Sequence, residues 1–144
     1  DRLETEFAQG KKLLRQAAPG LVGVAEAKLR GEAVDFAIIE SAIDALRAQP
    51  GGEDMDTLVL ACTHFPLLRN ELMAAAPYPV DWIDSGDAIA RRVDSLLPKN
   101  LLPKACPPAH QTAFTTAPQV SPAQARSFAA YGFMQTIALK GAPT

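Results

Sequence analysis

The stretch DTLVLACTHFPLL, residues 56–68, decides how the chain is read. Its first part, Thr57 to Ala61, is continuously apolar, short and bounded by turn chemistry. Such a run predicts a strand buried on both faces, as in a parallel sheet covered by helices. Its second part places Cys62, Thr63 and His64 at the carboxyl end of that strand, with a helix starting near Pro66. In open α/β sheets ligands gather at such ends. Two readings of Cys62 are open: a small buried hydrophobe, which is what most buried cysteines are, or a thiol that moves protons. Thr63 and His64 weigh toward the second, because a purely structural turn after an apolar strand more often uses Gly, Asn or Asp.

Working outward, the helical spacings fall on both sides of this strand. Leu3 and Phe7 predict a helix over residues 2–9, and residues 11–18 read equally as its continuation or as a short strand before Pro19-Gly20. LVGVAEAKLR, residues 21–30, predicts a short helix with Leu21, Val24, Ala25 and Leu29 on one side and Pro19 near its first turn. A longer helix is expected from about Ala33 to Gln49, carrying Phe36, Ile39, Ile43 and Leu46, and ended by Pro50-Gly51-Gly52. Downstream, a helix over about residues 66–75 leads to a short strand, VDWI. DAIARRVDSLL then forms a helix with Ile89, Val93 and Leu96 along one face. After a loop rich in proline and lysine, Pro98 to Pro108, QTAFTT predicts a strand and Ser121-Pro122 the capped start of a final helix. Strands alternating with helices make the class α/β, a mainly parallel sheet flanked by helices.

The composition narrows the function. The 144 residues are 48% hydrophobic with a formal net charge of -2, enough to bury a core. No run of Lys or Arg and no basic stripe interleaved with aromatics indicates a nucleic-acid surface, so a small metabolite is the expected partner. Apolar stretches such as Leu58 to Ala61 are far short of a membrane span, and no signal segment opens the chain. Two cysteines make no disulfide framework, which leaves a reducing cytoplasm as the default. DRLETEF opens without an initiating methionine, inside a helical pattern, and is read as the start of an incomplete piece of a longer protein.

The remaining polar candidates have a chemical and an ordinary reading each. A free thiol has a pKa of about 8.5, so only a few per cent is thiolate at neutral pH. An imidazole two residues on and a helix start beyond it would both lower that value. One Cys and one His fall short of the four ligands of a structural zinc, so no metal is expected. Cys106 and His110 lie in the proline-rich loop and read as loop residues. Glu26, a lone carboxylate among small and apolar residues, reads from composition as part of a solvated face. Asp84-Ser85-Gly86 could cradle an anion at a helix start, but Asp and Ser there are first of all caps. Arg91-Arg92 reads as an exposed helical turn.

DTLVLACTHFPLL, followed about twenty residues on by IDSGDAIARR and later by FTTAPQVSPAQARSFAAYGF, resembles the C-terminal half of the bacterial glutamate racemases, and AAPGLVGVAE upstream is similar to their segment before the second-lobe helix. The resemblance covers nearly the whole chain. Related aspartate racemases usually carry a different residue where His64 stands, which favours glutamate. It implies a pseudo-symmetric fold of two α/β lobes, with residues 1–84 most of the second lobe and 85–144 the return to the first. It also implies cofactor-independent interconversion of L- and D-glutamate by two cysteines on opposite faces of the substrate, supplying D-glutamate for peptidoglycan, and it allows a homodimer of the complete protein. On that pattern Cys62 is the second of the two thiols, His64 assists it, Thr63 and His64 hold the substrate, and Glu26 has a supporting catalytic role.

The departures are specific. The motif of the first catalytic cysteine is absent, as is the opening Asp-Ser-Gly motif, with which Asp84-Ser85-Gly86 is not equivalent. Ala61 replaces the usual glycine and Ala18 stands where many members have cysteine. The isolated chain is therefore expected not to racemise. Rival readings are a racemase of aspartate or another amino acid, a non-catalytic module that keeps the lobe, and a thiol hydrolase.

Overall fold

The structure is a computed structural model and describes residues 2–98 and 111–139. The readings of Cys106, His110 and most of the loop around them fall outside the described residues. In chain order the elements are α1 (Arg2–Glu6), α2 (Gly20–Leu29), α3 (Phe36–Arg47), β1 (Thr57–Val59), α4 (Arg69–Ala75), β2 (Asp81–Ile83), α5 (Gly86–Leu96), β3 (Thr112–Thr115), α6 (Pro122–Ala130) and β4 (Gln135–Ala138). Short 3-10 turns occupy Gly52–Asp54 and Phe65–Leu68. The class is α/β with parallel pairing, as expected, but the pairing forms two separate two-stranded sheets, β1–β2 and β3–β4. The described residues fall into two compact units. One holds those up to Ala25 with Asp35–Ser85, the other Glu26–Val34 with those from Gly86 onward.

In the first unit, β1 and β2 run parallel with Leu58 opposite Trp82 and Val59 opposite Ile83. The ladder extends one step when the Leu60 N–H donates to the Ile83 carbonyl at 2.8 Å. Helix α3 begins at Phe36, three residues later than the apolar pattern suggests, because the Asp35 carboxylate accepts from the Ala37 N–H at 3.1 Å and caps it. Ile39 and Ile43, four residues apart, share one face of α3 and are fully buried, as are Leu68 and Leu72 beneath α4. Each such side chain contributes roughly 1.5–3 kcal/mol by burial. Leu58, Leu60 and, from α2, Leu21, Val24 and Ala25 are buried in the same unit.

Three expectations need correction here. Residues 12–18 form neither helix nor strand, and α1 stops at Glu6. Strand β1 is not buried on both faces: Leu58 is buried while Val59 is 58% exposed and Ile83 51%. In a two-stranded sheet the alternating side chains then divide into a covered face, with Leu58 and Leu60, and a bare one, with Val59 and Ile83. The helix expected from Pro66 begins instead as a 3-10 turn, with Pro66 in its first positions, and becomes α-helical at Arg69.

The second unit holds β3 and β4 in parallel register, with Phe114 opposite Ile137. Ser121 caps α6 by accepting from the Gln124 N–H at 3.1 Å, and Pro122 takes a first-turn position where a missing N–H costs nothing. Phe128 and Phe133 meet edge to face, ring centroids 6.1 Å apart. Ile89, Val93 and Leu96 do lie along α5, yet each is about half or more exposed, so the amphipathic pattern has no covering partner among the described residues. Strand β4 lies beyond the elements that the sequence pattern predicts, although Thr136 and Ile137 after Gly132 carry β-branched character.

Candidate functional site

The site grows from the end of β1. After Leu60 the chain turns, the Phe65 N–H donating to the Cys62 carbonyl and the Leu67 N–H to the His64 carbonyl, both at 3.1 Å. The following 3-10 turn is anchored by Leu68, whose side chain is wholly buried. Cys62 and His64 are half-buried on this turn and Thr63 is exposed. The Cys62 Sγ lies 3.9 Å from His64 Nδ1, within reach of a thiol–imidazole hydrogen bond. Ala61, in place of the family's glycine, is accommodated without strain, since no described non-glycine residue has a positive φ.

The electrostatics of the turn favour thiolate. The backbone N–H of His64 facing the sulfur holds the Cys62 thiol below its ordinary range, aided by the His64 ring and the Phe65 N–H, and partial burial opposes them only in part. A thiolate at such a turn can take a proton from carbon or attack an electrophile.

Arg69, the first residue of α4, follows the turn in the chain and is not singled out by the sequence reading. Its Nη1 donates to Asp84 Oδ2 at 3.2 Å and its Nη2 to the Trp82 carbonyl at 3.3 Å. Asp84 thus serves an ion pair, beyond the cap role expected of Asp84-Ser85-Gly86. The available sign was positional: an arginine after one strand-end turn and an aspartate at the end of the next parallel strand. Arg91 and Arg92 are exposed on α5.

Glu26 belongs to the second unit, whereas Cys62, Thr63 and His64 belong to the first. It is half-buried on α2, and its charge joins the Glu32 carboxylate in holding the Arg30 guanidinium protonated. The structure therefore brings Cys62, Thr63 and His64 together on one turn and gives no geometry linking them to Glu26. Among the described residues no group of three or more His, Cys, Asp and Glu could hold a metal ion. No described helix is long and apolar enough to cross a membrane. A groove of about 410 Å³ runs along α3 by Ala37, Ile38 and Ala45 and is floored by Ala18 to Leu21. It has no ionisable lining residue.

No family model matches the chain. The glutamate racemase of Sphingopyxis alaskensis is 52% identical to it over 96 residues, which is 67% of this chain and 36% of that protein. The glutamate racemase of Brucella ovis is 51% identical over 79 residues, 55% of this chain and 28% of that one. Among solved structures, the Escherichia coli glutamate racemase in complex with L-glutamate and the activator UDP-MurNAc-ala matches with a TM-score of 0.73 at 32% identity, covering 96% of this chain and 51% of that one. The chain thus spans about a third of the curated relatives and half of the solved one.

Proposed function

We propose, from the chain's homology to the glutamate racemases in sequence and fold, that it is one part of a cofactor-independent enzyme interconverting L- and D-glutamate. One observation carries this reading: a thiol and an imidazole paired at 3.9 Å on the turn at the carboxyl end of β1. Inversion at Cα needs a base on one face and an acid on the other. In the proposed step the Cys62 thiolate takes the α-proton of L-glutamate, the C–H bond breaking as the S–H bond forms. A thiol on the opposite face, supplied by the rest of the complete protein, then gives its proton to the carbanion. The reverse reaction exchanges the two roles. Protons alone move, so the inventory closes without a redox partner.

His64 assists by stabilising the thiolate, Thr63 and His64 hold the substrate, and Glu26 supports catalysis. In the complete protein residues 1–84 would form most of the second lobe and 85–144 the return to the first. The product would serve peptidoglycan synthesis in the cytoplasm, and the complete protein could work as a homodimer. The test is racemisation by the complete protein, followed by circular dichroism without added pyridoxal phosphate. Glutamate should lose its optical activity, and Cys62→Ala should abolish the reaction. Normal turnover by that variant would remove Cys62 from the mechanism, and turnover of aspartate in preference to glutamate would reassign the substrate.

A further inference from the structure

The turn that carries Cys62 is fastened at both ends to the neighbouring strand. At its start the Leu60 N–H donates to the Ile83 carbonyl at 2.8 Å. At its end the Arg69 guanidinium spans two acceptors just around that residue, the Trp82 carbonyl before it and the Asp84 carboxylate after it. The fork geometry of a guanidinium allows this double engagement, which a lysine ammonium on its stem does not reproduce. Asp84 is the less exposed partner, its side chain 24% accessible against 43% for Arg69. Between the two fastenings lie Cys62, Thr63 and His64.

We infer that Arg69 and Asp84 are positioning residues for the Cys62–His64 pair, a clamp across the ends of β1 and β2 that sets the shape of the turn. This deepens the reading of Cys62 as a proton carrier and rests on it. The groups that favour the thiolate are the backbone and ring of His64 and the backbone of Phe65, all within the clamped segment, so a loosened turn loses them together. The clamp acts through geometry, and the sign of its effect separates it from direct charge. Removing the Asp84 carboxylate would, as a pure charge effect, make the thiol ionise more readily if it changed the thiol at all. Releasing the turn does the opposite.

The experiment measures alkylation of Cys62 by iodoacetamide in the full chain across pH, read at the Cys62 peptide by mass spectrometry. Asp84→Ala and Arg69→Gln should each slow the reaction at pH 7 by about threefold, since the rate follows the thiolate fraction. Arg69→Lys should recover part of the loss, and the helical far-UV signal should be kept in all three. An Asp84→Ala chain that reacts at the parent rate or faster would overturn the clamp. So would loss of the helical signal in Asp84→Ala or Arg69→Gln, which would make the pair a support of the fold at large. Because alkylation needs no substrate, a slowed thiol in a protein whose complete form leaves glutamate untouched would uphold the clamp and sink the racemase reading. The converse result would do the reverse.

Discussion

At Cys62 the stabilising groups come from two residues close ahead in the chain: the N–H and ring of His64 and the N–H of Phe65. That locality explains why CTHF could be read as chemistry before any fold was known. His64→Ala should slow alkylation of Cys62 near neutral pH by a few-fold, because the ring's share of the stabilisation disappears while the backbone share stays. The measurement is the pH profile of the alkylation rate, and an unchanged profile would leave the backbone alone responsible. The sign for stability follows from the lowered thiol pKa. Ionisation favours the folded chain above the ordinary thiol pKa, and that increment is lost as pH falls through the lowered value. Glu26 is the contrasting residue. Nothing within its own helix marks it as catalytic, and the only support for that role is the resemblance.

Helix caps obey local rules, and at the start of α6 the sequence reading and the structure agree, although the bounds of α1, α3 and α4 differ from those expected by about three residues. Ser121 was expected to cap α6 and does so through the Gln124 N–H. Ser121→Ala should cost about 1 kcal/mol in thermal or urea unfolding. The end of α2 is closed by Gly31 at φ +78, with the Gly31 N–H on the Lys28 carbonyl and the Glu32 N–H on the Ala27 carbonyl. A Cβ at Gly31 would also stand 2.6 Å from that of Ala123. Gly31→Ala should therefore destabilise by roughly 1–3 kcal/mol in the same measurement, the strain of a left-handed alanine being compounded by the close approach. Periodicity was less informative for strands. The run from Thr57 to Ala61 does not say which of its faces is covered, and β4 is too short and too mixed to announce itself.

For the molecule as a whole, apolar side chains stand bare on both sheets and on α5. Val59 and Ile83 share one face of β1–β2, Phe114 and Ile137 one face of β3–β4, and Ile89, Val93 and Leu96 line α5. Parallel sheets are ordinarily covered on both faces, and contiguous exposed apolar surface binds hydrophobic probes. The chain by itself should therefore enhance the fluorescence of anilinonaphthalene sulfonate, and Val59→Thr with Ile83→Thr should reduce the signal. No enhancement would mean that these faces are covered in solution. What the sequence alone determined was the α/β class, the N-cap of the late helix and the thiol at a strand end. Those depend on contacts within a few residues, where spacing and residue type are nearly sufficient. Only the tertiary structure decided which face of β1 is bare, that Phe114 lies opposite Ile137, and that Arg69 reaches Asp84 fifteen residues away. These contacts close long loops, and no local pattern specifies which distant partner fills them.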